Sequence, residues 1–418
     1  ISVSDNIITI SKGGDFEVTG TLDDGQIVID TEEKVKLRLS GMSLTNKNGS
    51  AVYVKNADKA YITLTDNTEN TLTDGENYTS GDENEKGCIT SRDNLEIKGS
   101  GSLTLNGNYN HGIFSSNSIE IGNGNITINA KNDGIHANDT LAIRGGTVNV
   151  TAEGDGLQAK EILDISGGEV NVTTTGEVKA STSNDFGGRG EMKDSLQMTD
   201  DEIQSMREQM NNNQFTQTEE SDDSDDTSSK GIKADWMLEI SGGEVTVNST
   251  DHAIHCTSDI NITGGTLNLS SESKKGISGH GDITIDDGDI TITKSTEGIE
   301  SKKILTINGG NIDITASDDG LNSGGTGANQ NGGFGGGTNM QGGQQGNRGQ
   351  IGRQNSDGQD GKQMTPPDMS SDQNGNQMTP PNMQQAEGNE QDSEHHIQIN
   401  DGNIKIVATQ SVLVQTVH

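Results

Sequence analysis

The sequence repeats itself every 22 residues. Reading from Gly112 gives GIFSSNSIEIGNGNITINAKND, from Gly134 GIHANDTLAIRGGTVNVTAEGD, and from Gly156 GLQAKEILDISGGEVNVTTTGE. After an interruption the pattern returns at Gly231, Ala253, Gly276 and Gly298, with one unit of 23 residues between Ala253 and Gly276. A fixed period of this size means stacked supersecondary units, none of which can bury its apolar face alone. Each unit has one grammar: Gly-apolar-x-small, an apolar-x-apolar triplet, Gly-Gly or a near equivalent, and a second apolar-x-apolar triplet. Alternation marks strands with one buried side, and the glycines mark sharp corners. Three short strands per unit leave no room for a helix. The pattern predicts an all-β fold, a parallel β-helix of ~22-residue coils whose equivalent side chains stack about 4.8 Å apart.

Looser versions of the grammar occur upstream in VKLRLSGMSL (35–44), AVYVKNADKAYITL (51–64) and CITSRDNLEIKGSGSLTL (88–105), and downstream in HIQINDGNIKIVAT (396–409). About eleven coils at roughly 4.8 Å each would make a rod on the order of 50 Å long. The chain is 27% hydrophobic and 2% aromatic, with a net charge of −36. In a globule those values would mean disorder, but a coil needs only a handful of stacked aliphatics. The charge excludes nucleic acid as a partner, and no run of 18 apolar residues offers a membrane span. The chain opens on Ile1 without a leader and is Asn/Thr/Gly-rich and acidic. It reads as the mature product of bacterial export, extracellular or at the cell surface. Cys88 and Cys256 fall about five coils apart on this ladder, beyond disulfide reach.

The whole chain, 1–418, reads as a single β-helix domain with two insertions. The first, 181–229, is acidic and Met-rich; within it Thr199 and Glu202 form a capping box ahead of Ile203, Met206 and Met210 on one helical face. The second, 324–394, is Gly/Gln/Pro-rich, holds all four prolines, and is predicted to be disordered. The first leaves after EVKAS and the second after GLNSGG. Both are therefore expected at the same corner, after Gly-apolar-x-small, and insertions gathered on one face often mark the binding face.

In-register stacking makes neighbours of residues 22 apart. Just before the corner glycine the column reads His111, Asp133, Asp155, Lys230, His252, Lys275, Glu297 and Asp319, and five residues after the glycine Asp139 stands over Glu161. Carboxylates about 5 Å apart repel unless a cation lies between them, and hard oxygen ligands from adjacent turns suit Ca²⁺. The candidate Ca²⁺ ligands are Asp133, Asp155, Asp139 and Glu161, with a second site at Asp318 and Asp319. No nucleophile motif, P-loop or HExxH is present, and the eight histidines lack metal-ligand spacing. Trp236, the only tryptophan, is a candidate for stacking a sugar ring. Lys160, beside the acidic columns, and His136 are the other glycan-binding candidates.

The segments AVYVKNADKAYITLTDNTENTLTDG (51–75) and GSLTLNGNYNHGI (101–113), with the repeated GI-x-A and I-x-I-x-GG-x-V-x-V, resemble a family of bacterial carbohydrate-binding-domain proteins. The resemblance covers residues 35–316. It implies a right-handed parallel β-helix, similar in fold to pectate lyases, that is secreted or surface-attached. It also implies binding of cellulose or acidic plant sugars such as polygalacturonate, with bound calcium. The family tends to place Asp-Asp before the corner glycine, whereas this chain has Asp251-His252 and Lys274-Lys275 there.

The function expected is non-catalytic, calcium-dependent binding of a polysaccharide at the bacterial cell surface. One rival is a polysaccharide lyase of pectate-lyase type, in which a base such as Lys160 takes the proton α to a uronate carboxylate. Another is a structural adhesin or fibre subunit, self-associating through open β-helix ends.

Overall fold

A computed structural model describes residues 1–79, 82–176, 229–324 and 395–408. Among them the regular structure is entirely β. In a representative coil the chain runs through a short strand, Ile135–Ala137, a middle strand, Leu141–Ile143, and a long strand, Thr147–Ala152. Each pairs in parallel with its counterpart 22 residues on: Ile135 with Leu157, Leu141 with Leu163, Val148 with Val170. The short strands form a thirteen-stranded sheet. The middle and long strands form two further ladders, joined into one sheet by the long strands Gly14–Leu22 and Val35–Thr45. The protein is a parallel β-solenoid.

The inward positions make columns of like residues. Ile121, Ile143, Ile165, Ile240 and Ile262 stack along the middle ladder, and Ile128, Val150, Val172, Val247 and Leu269 along the long one, all buried. Each fully buried aliphatic contributes about 1.5–3 kcal/mol, so a small set per coil, repeated, replaces a globular core. Ser115, Ala137, Ala159, Ala234, Cys256 and Gly279 form the small-residue column. Cys88 and Cys256 are buried free thiols, and burial, the largest influence on each, pushes both well up from the ordinary range.

Glycine sits where a side chain has no room. A Cβ on Gly156 would lie 2.1 Å from Val172 Cγ1 and 2.6 Å from the Gly231 carbonyl oxygen of the next coil. The second glycine of each Gly-Gly turn is required for another reason: Gly146, Gly168 and Gly243 have φ of 84°, 88° and 88°, a region that penalises a Cβ. The extra residue of the 23-residue coil falls between Ser271, which pairs with Ser249 at a spacing of 22, and Ile277, which pairs with Ile254 at a spacing of 23.

The solenoid extends further toward the N-terminus than the repeat signalled. Ile7–Ile10 pairs in parallel with Gln26–Asp30, and Ser2–Ser4 folds back antiparallel on Ile7–Ile10 through Asp5 and Asn6, both at positive φ. Pairing resumes in register beyond each undescribed stretch, Leu157 with Ile232 and Leu305 with Ile397. The two insertions, with the helix signals of the first and the disorder expected of the second, lie outside the described residues apart from their edges.

Those edges correct one expectation: the insertions do not share a corner. The short-strand slot after Leu157–Ala159 is filled by Ile232–Ala234; EVKA (177–180), which imitates the coil grammar, lies outside the described residues. The first interruption falls between the long strand Glu169–Thr174 and the short strand Ile232–Ala234. The second falls after the short strand Leu321–Ser323 and before the middle strand His396–Ile399.

Candidate functional site

The outward side of the short-strand sheet carries buried polar residues, which an ordinary solvent face does not. Over the coils that begin at Gly87 to Gly156 one long corner contributes the cover. Val52 pairs with Ile89, 37 residues on, and the excess lies between the long strand Glu69–Thr73 and the short strand Gly87–Ser91. Its described residues fold back over the sheet. The Ser50 N–H and the Gln26 side-chain amide donate to Glu85 Oε2 at 2.6 and 2.9 Å. The Tyr53 hydroxyl donates to Asp82 Oδ2 at 3.0 Å, and the Thr79 N–H to the Asn48 carbonyl at 2.8 Å.

This segment walls a pocket of about 600 Å³ over the coils that begin at Gly87, Gly112, Gly134 and Gly156. Tyr78 and Tyr109 stack at 4.1 Å between ring centroids on its rim, with Tyr109 44% exposed. Tyr78 is held from beneath, its hydroxyl donating to Asp74 Oδ2 at 2.6 Å, while the Asn108 N–H donates to Asp74 Oδ1 at 2.5 Å. Burial raises the Asp74 carboxyl to about 6 against the pull of these hydrogen bonds. Burial, and then the Asp74 charge, pushes the Tyr78 hydroxyl far up. Asp82, Glu83 and Glu85 give the pocket an acidic side, and Lys86 and Lys160 supply cations; Lys86 Nζ lies 5.1 Å from the Phe114 ring centre.

The floor is His111, Phe114, Asp133 and His136, all buried. His111 Nδ1 is 3.1 Å and His136 Nδ1 2.9 Å from Asp133 Oδ2. Burial resists ionisation of Asp133, yet the nearness of His111 and His136 overcomes it and holds its carboxyl well below the usual range. Burial, only partly offset by Asp133, lowers the pKa of His111.

The residues singled out in the sequence fall in several places. Asp133 and Asp155, expected to share Ca²⁺, are engaged otherwise. The Asp155 N–H donates to Asp133 Oδ1 at 2.9 Å and the Lys230 N–H to Asp155 Oδ1 at 2.7 Å, so each carboxylate ties its coil to the next. The second oxygen of Asp133 faces the two histidines, and that of Asp155 lies 3.8 Å from Lys233 Nζ. Asp139 and Glu161 lie on successive coils at an outer corner, where the Glu161 N–H donates to the Asp139 carbonyl at 3.0 Å. Asp318 and Asp319 are half-buried at another corner. Among the described residues, the one group of three side chains placed to hold a metal is His111, Asp133 and His136. His136 and Lys160 line the pocket. Trp236 is 58% exposed one coil beyond Lys160, its N–H donating to the Glu161 carbonyl at 3.2 Å, and does not line the pocket.

Sequence reasoning missed Tyr78, Tyr109 and His111 as site residues. The tyrosines lay in coils read only for their strands, although the 37-residue spacing was visible. His111 and His136 are 25 residues apart, which no linear metal motif describes. They meet because position −1 of one coil and position +2 of the next project to the same outer side.

The fold and pocket define a parallel β-solenoid with a recessed polar site on its short-strand face. The chain belongs to the carbohydrate-binding domain-containing protein family, whose model matches residues 4–273 and 264–416. A carbohydrate-binding domain-containing protein of Acetivibrio thermocellus is 36% identical over 135 residues, 31% of this chain and 47% of that relative. The match thus spans about half of the relative's length. A solved structure of the polysaccharide lyase-like protein from C. thermocellum, a gadolinium derivative, aligns at 24% identity with a TM-score of 0.40, over 77% of this chain and 91% of that one.

Proposed function

We propose that this protein is a non-catalytic polysaccharide-binding protein of the bacterial surface that takes sugar rings into the pocket beside Tyr109. The observation that carries the reading is the Tyr78–Tyr109 stack on the rim of a pocket of about 600 Å³. An exposed aromatic face held rigid from below offers an apolar platform to a pyranose ring, with carboxylates and amides alongside for its hydroxyls. Membership of a carbohydrate-binding family supports the same ligand class. Among the described residues no helix is long and apolar enough to cross a membrane.

The glycan in this reading is acidic or cellulosic, and Ca²⁺ bridges protein and glycan carboxylates. Asp139 with Glu161, and Asp318 with Asp319, are the carboxylate pairs that would supply the oxygens in this reading. Pull-down on polygalacturonate and on cellulose, with and without a calcium chelator, tests both parts. Binding to neither glycan sinks the reading, and polygalacturonate binding indifferent to chelation sinks the calcium bridge alone.

One observation favours a second reading, a polysaccharide lyase: Lys160 lines the same pocket as His136, where a base could reach a sugar proton. Release of unsaturated product, followed by its ultraviolet absorbance and abolished by Lys160→Ala, would establish it. Absence of product at any pH with Ca²⁺ leaves the binding reading.

A further inference from the structure

The floor of the pocket brings three ligand atoms to one point. His111 Nδ1 and His136 Nδ1 lie 3.1 and 2.9 Å from the same oxygen, Asp133 Oδ2, and the ligand atoms of the trio are within 4.8 Å of one another. His111 Nδ1 is buried without a hydrogen bond, its ring being out of line to donate to that oxygen. His136 Nε2 stands 3.3 Å from Asn138 Oδ1, which can only accept. The His136 ring can carry its proton on either nitrogen: on Nδ1 it donates to Asp133 Oδ2 at 2.9 Å, and on Nε2 it donates to Asn138 and turns the Nδ1 lone pair toward the carboxylate, the arrangement that a bound cation favours.

We propose that His111, His136 and Asp133 bind a divalent transition ion of the Zn²⁺ class, with one coordination position open to the pocket. At metal–ligand distances of about 2.0–2.1 Å, tetrahedral ligand atoms stand roughly 3.3 Å apart. The two histidine–carboxylate separations reach that value with shifts of a few tenths of an ångström, and the two imidazole nitrogens start within 4.8 Å of each other. Two imidazoles and one carboxylate oxygen suit zinc and its neighbours, whereas Ca²⁺ takes about 6–8 oxygens. Asn138, within reach of the His136 ring at 3.3 Å, would orient that imidazole toward the ion. Among the described residues three protein ligands converge, so the fourth position faces the space that Tyr109 and Lys160 also line. A site of this kind keeps its last position for an exchangeable oxygen donor, a water or a ligand's carboxylate or hydroxyl. The proposal does not depend on the glycan reading.

The test is calorimetric titration of the chelator-treated, untagged full chain with Zn²⁺ alone, alongside Co²⁺ absorption spectra. The expected result is one equivalent bound at this site, not displaced by millimolar Ca²⁺. Its affinity falls by at least about 100-fold in His136→Gln and in Asp133→Asn, while His395→Ala with His396→Ala leaves it intact. Far-UV circular dichroism checks that the variants keep the β fold. In the unaltered chain, acetate added to the Co²⁺ form shifts its d–d bands, which reports the open position without any substitution. Lack of the equivalent, its survival in both pocket variants, its displacement by Ca²⁺, or Co²⁺ bands indifferent to acetate would overturn the proposal.

Discussion

Tyr109 and Asp74 do different work within a few ångströms of each other. Tyr109 presents its face to the pocket, and losing an aromatic contact of this kind costs about 1–1.5 kcal/mol, so Tyr109→Ala should weaken glycan binding roughly tenfold with little change in melting temperature. Calorimetry with the glycan retained in pull-down checks this. Asp74 holds Tyr78 in place at a cost to folding. Its folded carboxyl is raised to about 6 from an ordinary value of 3.8, so below about pH 3 the group is neutral in both states and costs nothing. As pH rises from about 3 through 6 the unfolded chain ionises first, and stability is lost by about 3 kcal/mol from this one group. Urea unfolding of the parent and of Asp74→Asn at about pH 3 and pH 7 isolates it from the other carboxylates. The difference between the two proteins should change by that amount, and a pH-independent difference would show that Asp74 is not strained by burial.

At the scale of the coil, the position before the short strand is glycine in every unit from Gly112 onward except at Ala253, and at Gly156 a side chain has no room. Gly156→Ala forces a methyl against Val172 and the Gly231 carbonyl and should cost about 3 kcal/mol. Gly122, whose added Cβ would meet only Lys98 Cβ at 3.6 Å and the Ile97 carbonyl at 3.7 Å, is the control; its alanine variant should lose under about 1 kcal/mol. Chemical denaturation of the pair decides. The same regularity explains what could be read in advance. From Gly112 onward, corner glycines and paired triplets recur at a spacing of 22, with one coil of 23 and Ala253 at one corner, and the described strands fall within the units of that grammar. Before that, Val35–Thr45 runs as one eleven-residue strand across two faces, and Ile27 pairs with Val52 at a spacing of 25, so no single period describes the first coils. GEVKA misled because local grammar cannot say which of two matching segments takes the open slot; only the pairing of Leu157 with Ile232 does. The site was less legible than the fold, since it joins residues of several coils to a corner that obeys no repeat.

For the molecule as a whole, 64 acidic against 28 basic residues set the terms of any encounter with a polyanion. Self-repulsion and repulsion of the ligand are both long-ranged at low ionic strength, where the screening length is about 30 Å at 0.01 M against about 8 Å at 0.15 M. In chelator, the affinity for polygalacturonate should therefore rise as NaCl is added, while that for a neutral glucan stays flat. Affinity for polygalacturonate that falls with salt would mean that local cations such as Lys86 and Lys160, rather than the overall charge, govern the approach.

The constant register also bears on how such a chain tolerates copying errors. In the coils beyond Gly231, duplicating or deleting one whole coil in frame leaves each new pair of neighbours chemically equivalent to an old one, so length there is a nearly neutral variable. Between Gly87 and Gly156 it is not. A coil inserted between His111 and Asp133 would carry them apart by one step of the stack and dissolve the trio at the pocket floor. The same gene thus holds one stretch free to change its number of coils and another in which that number is fixed by the site.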